Sequence, residues 1–179
     1  MSNKHLKKLV LTAMLLAVGY VLPLLTGQIR EIGNMLLPMH IPVMLCGLIC
    51  GEKYGAVLGA VLPLSRSIFF TMPVLYPNAV AMAFELASYG FVVGLVYRLF
   101  TKKNTLSVIL SLLAAMLIGR VIWGGVQSLL LGVFGSGYSL AMFVSGAFLN
   151  AFPGMILQLI LIPAIMAALR RAHLLDSLR

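Results

Sequence analysis

The chain has 179 residues, of which 61% are hydrophobic and only 9% charged, and its mean hydropathy is +1.08. That composition excludes an ordinary soluble domain and describes a polytopic membrane protein. The net charge of +9 does not signal nucleic-acid binding, because the basic residues lie at segment ends rather than along one stripe, as in cytoplasmic loops.

The start, MSNKHLKK followed by LVLTAMLLAVGYVLPLL, has the basic and apolar regions of a signal peptide. No small-x-small cleavage site follows before TGQIREIGN, so residues 7–25 are read as a first spanning helix. Within it Ala13 and Ala17, with Gly19 close by, form a small-xxx-small face that lets another helix come near the backbone. Residues 26–37 are polar enough to leave the bilayer, with Arg30 and Glu31 as a solvated surface pair.

The second segment, 38–51, is short for the roughly 20 residues of a full crossing, so it must tilt, bend or begin inside the membrane. A charged break, GEKYG, separates it from the third segment, 54–70, while glycines recur every fourth residue at Gly47, Gly51, Gly55 and Gly59. Small faces of this kind pack helices tightly. Cys46 and Cys50 have no nearby His or acidic partner and read as small buried hydrophobes rather than a metal or redox pair. Segment four runs over 77–99 with Gly90-xxx-Gly94, segment five over 106–133 and segment six over 139–169, the last two long enough to tilt.

The expected fold is therefore a single all-α membrane domain, residues 1–179, with six transmembrane helices and both termini on one side. Lys4, Lys7, Lys8, Lys53, Arg98, Lys102, Lys103, Arg170, Arg171 and Arg179 fall on that side, against Arg30 on the other. The positive-inside rule makes the termini cytoplasmic and the protein a multi-pass membrane protein.

Arg66 and Arg120 remain inside apolar segments, where a charge needs a partner or a watery cavity. Helix rise places Arg66 about 20 Å and Arg120 about 22 Å above the cytoplasmic face, and Glu85 about 12 Å below the outer face. His40 enters segment two from outside and Asn150 lies about 16 Å down segment six, so five polar side chains converge on one outer layer. Arg120, Trp123, Gly124 and Gln127 share a helical face, as do Asn78, Met82, Glu85 and Tyr89, and Asn150, Gly154 and Gln158. Faces mixing polar groups, aromatics and glycine make pocket walls. The plainer reading is that Glu85 locks the bundle by pairing with Arg66 or Arg120, and that His40 is a structural imidazole. One carboxylate does not neutralise two guanidinium groups, which favours a binding layer. No GxxxxGK, HExxH or GxSxG motif is present, so no ATP hydrolysis or zinc or serine hydrolysis is expected, and no metal or cofactor. The halves show no convincing inverted repeat, which weakens a self-contained transporter.

Six segments in under 200 residues, Ala13-xxx-Ala17, the stretch LPMHIP at 37–42, and the following GEKYG and PLSRS resemble the substrate-specific S components of energy-coupling factor (ECF) vitamin transporters. The resemblance spans nearly the whole chain. It implies a membrane-embedded protein, not an enzyme, that binds a micronutrient from outside and docks on a transmembrane T component with two ATPase subunits, which alone bind ATP. It further implies a place in the bacterial plasma membrane, that Ala13 and Ala17 face the T component, and that ATP hydrolysis by the partners resets the S component through a toppling of the whole subunit. Two ligands suit the polar layer. The excess positive charge suits the carboxylate of pantothenate. Trp123, Tyr89 and Tyr76 suit a flat ring whose polar edge is read by Glu85, His40 and Asn150, as in a pyridoxine-type vitamin, and this second fit is preferred. The rival classes are a free-standing transporter or channel, and an assembly subunit whose charges only fix packing.

Overall fold

The structure, a computed structural model, describes residues 3–25, 36–133, 151–172 and 174. The helices among them are α1 (Asn3–Leu25), α2 (His40–Cys50), α3 (Glu52–Phe70), α4 (Val80–Leu99), α5 (Thr105–Val133) and α6 (Phe152–Arg171). Leu75–Ala79, in which Tyr76 is extended (φ −119°, ψ 134°), leads into α4 across a kink. No strand occurs among the described residues. Four helical stretches, Lys4–Leu24, Leu75–Leu99, Thr105–Leu131 and Phe152–Arg171, are long and apolar enough to cross a membrane. The first part of the sixth expected segment, 139–150, lies outside the described residues.

The short second segment begins inside the protein. Leu37 takes a positive φ of 50°, and the His40 N–H donates to its carbonyl at 3.1 Å. Pro38, Met39 and His40 are already buried when α2 starts. Every residue of α2 except Ile49 is buried, which is the behaviour of a helix that is apolar on all sides and serves as a core. At 11 residues it is about 16 Å long, and α1, α3, α4 and α6 surround it.

Two apolar clusters divide its surface. Met44, Leu45 and Leu48 meet Tyr89 and Val93 of α4, Leu112 and Met116 of α5, and Ile162 and Met166 of α6. Val43, Cys46 and Cys50 meet Leu58 and Leu62 of α3 and Leu86 of α4, with Leu11, Leu15 and Tyr20 of α1 at the margin. The two cysteines are buried there, and each thiol also meets a polar atom of α1: Cys46 Sγ lies 3.5 Å from Thr12 Oγ1, and Cys50 Sγ donates to the Lys8 carbonyl at 3.7 Å.

The glycine series explains how α2, α3 and α4 come so close. A Cβ on Gly55 would stand 2.6 Å from the Gly90 carbonyl oxygen, and one on Gly94 would stand 2.6 Å from the Glu52 nitrogen. Gly59 faces the Leu86 carbonyl in the same way. These are backbone-to-backbone contacts that only glycine permits. At Gly51 the reason is different: its φ of 108° breaks the α2–α3 helix, and a side chain there would meet nothing within 4 Å.

Basic residues gather at the end that carries the start of α1, the α2–α3 turn, the α4–α5 loop and the end of α6. There Arg98 Nη1 donates to Glu52 Oε1 at 2.8 Å, and Arg170 Nη2 donates to the Tyr97 hydroxyl at 2.8 Å. His5 Nδ1 lies 3.2 Å from the Tyr54 hydroxyl.

Candidate functional site

Glu85 and Tyr89 are one turn apart on the buried face of α4, so both point into the bundle. Arg120 reaches them from α5 and His40 from the first position of α2. Glu85 Oε1 stands 3.0 Å from Arg120 Nη1 and 3.6 Å from His40 Nε2. The His40 and Tyr89 rings meet edge to face, 5.1 Å between centroids. Tyr89 itself is buried, 1% exposed. Gly119, beside Arg120 on α5, makes room for the Tyr89 ring, since a Cβ there would lie 2.9 Å from it.

The cluster is charged, buried and incompletely bonded. Glu85 Oε1 has no hydrogen-bond donor of proper alignment despite its short distance to Arg120, so the contact is an ion pair rather than a directed hydrogen bond. Arg120 Nε and Nη2, both His40 ring nitrogens and Gln127 Oε1 are also buried without a hydrogen-bond partner among the described residues. Buried polar atoms are nearly always bonded, and each one left unmade costs about 1–3 kcal/mol. A concentration of them on three helices offers donors and acceptors to a further polar molecule. No group of three or more metal-binding side chains occurs among the described residues.

The other predicted site residues are placed as follows. Gln127 is buried, while Asn78 and Trp123 are half-buried. Tyr76 is exposed, and its hydroxyl donates to the Leu130 carbonyl at 2.7 Å, joining the turn before α4 to the end of α5. Asn150 lies outside the described residues. Arg66 is buried, but its Nη1 donates to the Tyr20 carbonyl of α1 at 2.9 Å and its guanidinium lies over the Phe70 ring at 5.1 Å. Of the two arginines, Arg120 is the one paired with Glu85. Ala13 and Ala17 are exposed on α1, in line with exposed Val10, Met14, Val18 and Val21.

One contributor escaped the reading of individual motifs. Gln158 of α6, fully buried, has Nε2 3.4 Å from the Leu37 carbonyl and so braces the turn that delivers His40. Its place on a face with Gly154 marked it as inward-facing, but nothing in the spacing named its acceptor.

These features define a class: a helical membrane protein with a buried polar site formed where helices from different parts of the chain meet. The family model described as ECF transporter, substrate-specific component, matches residues 7–166. The chain belongs to that family, and is thus a transport subunit that works with T and ATPase components rather than an enzyme. No curated protein and no solved structure matches it.

Proposed function

We propose that the protein is the high-affinity binding subunit for uptake of a small water-soluble vitamin, and that its ligand contacts the His40–Glu85–Arg120 cluster. The observation that carries this reading is the set of buried atoms on His40, Arg120 and Gln127 that have no hydrogen-bond partner among the described residues. Tyr89 supplies an aromatic wall, and Asn78, Trp123 and Tyr76 complete the lining at the outer end, with Asn150 assigned to the same layer from its position in the sequence alone. In this reading all six segments cross the bacterial plasma membrane, both termini are cytoplasmic, and the site opens outward. ATP is bound by the two partner ATPases alone, and the chain carries no cofactor of its own.

The preferred substrate is of the vitamin B6 type, pyridoxine or pyridoxal. Within the cluster one carboxylate stands against one guanidinium, and Arg66 is engaged by the Tyr20 carbonyl. The Glu85–Arg120 pair is thus balanced within the cluster, while the Arg66 charge is directed toward α1, which supports an uncharged ring with polar substituents. Pantothenate, which needs a cationic partner, ranks second. Docking on the T component uses the exposed Ala13–Ala17 face of α1, where small side chains allow close helix approach.

Titration of the detergent-purified protein with pyridoxine, pyridoxal and pantothenate tests the substrate. Submicromolar binding of a B6 vitamer is expected. Binding of pantothenate alone reverses the order, and binding of none removes both names. Native mass spectrometry of the same preparation identifies any vitamin that co-purifies, and uptake with and without the ATPase module separates this reading from a self-contained transporter.

A further inference from the structure

At the basic end of the bundle, a cavity of about 440 Å³ is lined by residues from five parts of the chain. Its size falls in the range of small-ligand sites, about 300–1,000 Å³. It is separate from the His40 cluster: Cys50, on its wall, stands ten residues along α2 from His40, or about 15 Å. Four cationic side chains line it, Lys8, Lys53, Arg98 and Lys103, against the single carboxylate of Glu52. Arg98, although exposed, is bonded to Glu52, and Lys103 Nζ is held by the Tyr97 carbonyl. Lys8 and Lys53 come from α1 and from the start of α3.

The backbone adds to this field. Gly51 ends α2 with φ 108° and starts α3 afresh, so the first turn of a 19-residue helix opens on the cavity with Lys53 and Tyr54 on its wall. The first N–H groups of a helix have no acceptor within it, and its dipole adds positive potential there. The space in front of Gly51 is open, since a Cβ on it would meet nothing within 4 Å.

We propose that this cavity is a phosphate-binding site, which takes the phosphate of an anionic lipid headgroup or of a soluble phosphate ester. Lys8 and Lys53 neutralise the anion, and the start of α3 adds positive potential beside the Glu52 carboxylate, which is held by Arg98 and by its own backbone N–H. The site does not depend on the identity of the transported vitamin.

The test uses the full chain in three settings: phosphatidylcholine nanodiscs, nanodiscs with added phosphatidylglycerol, and phosphatidylcholine nanodiscs with millimolar inorganic phosphate. Native mass spectrometry counts retained phosphatidylglycerol, and thermal melting reports stabilisation. Retention of one phosphatidylglycerol with a raised melting temperature identifies the lipid as the source; stabilisation by inorganic phosphate identifies the soluble anion. The Lys8→Gln, Lys53→Gln double variant is expected to weaken either response at least about tenfold while vitamin binding stays unchanged, which also shows that it is folded. If the wild-type protein responds to neither anion, or the double variant responds as strongly as the wild type, the proposal is overturned.

Discussion

Arg120 Nη1 sits 3.0 Å from Glu85 Oε1, with the two side chains only 4% and 2% exposed, and yet no hydrogen bond aligns between them. An ion pair that only locked the bundle would be expected to use its donors fully, because desolvating both charges is repaid only by good geometry and extra hydrogen bonds. Here Arg120 Nε and Nη2 have no hydrogen-bond partner among the described residues.

Glu85→Gln separates binding from packing. Breaking a dry buried pair costs about 3–5 kcal/mol, and such a variant would purify poorly. Because the cluster has unused hydrogen-bonding capacity, solvent entering it can satisfy the freed guanidinium. The variant is expected to stay folded and monodisperse while binding its vitamin at least about tenfold more weakly, or about 1.4 kcal/mol. Isothermal titration beside size-exclusion chromatography checks both halves; an unfolded variant, or one that binds normally, returns Glu85 to a structural role.

Arg66→Met is expected to do the reverse. Its guanidinium bonds the Tyr20 carbonyl and covers Phe70, so its loss should loosen α1 from α3 and lower the melting temperature while vitamin affinity changes by less than about threefold, under 1 kcal/mol. A large loss of affinity at unchanged stability would place Arg66 in the binding site instead.

Ala13→Leu and Ala17→Leu act on an exposed face. Gly19, by contrast, lies on the inner side, where a Cβ would stand 2.6 Å from Leu62. Neither leucine should therefore disturb the fold or vitamin binding, but both should block close approach of a partner helix. ATP-dependent uptake is expected to fall to background in cells, with binding by the isolated chain intact. Wild-type uptake in both variants would remove the docking assignment.

Gly90→Ala tests the three-helix contact. Its Cβ would run into the Gly55 carbonyl group, and because both sides are backbone no rotamer change relieves the clash. Overpacking of this kind costs about 1–3 kcal/mol and occasionally more. Gly125→Ala on α5 is the control, since a Cβ there meets nothing within 4 Å. Thermal melts in one detergent should show a clear loss for the first and little change for the second.

The sequence by itself determined the helical class and marked Glu85, Tyr89, Arg120 and Gln127, which are all buried, as inward-facing. Apolar length, the glycine spacing and the 3.6-residue period are local properties, and they carry that information directly. Thus Glu85 and Tyr89 are readable as one face of α4, and Arg120 and Gln127 as one face of α5. Rise per residue also placed Arg66, Glu85 and Arg120 at similar depth. Depth does not decide partnership. Which arginine met Glu85 depended on how the helices are ordered around α2 and how each is rotated, and only the tertiary structure decided that Arg120 does so while Arg66 turns to α1. It also decided that α2 starts inside the protein, because the positive φ of Leu37 and the reach of Gln158 to its carbonyl join residues 121 positions apart. No local pattern records such a contact, since its energy exists only once α6 has packed against α2.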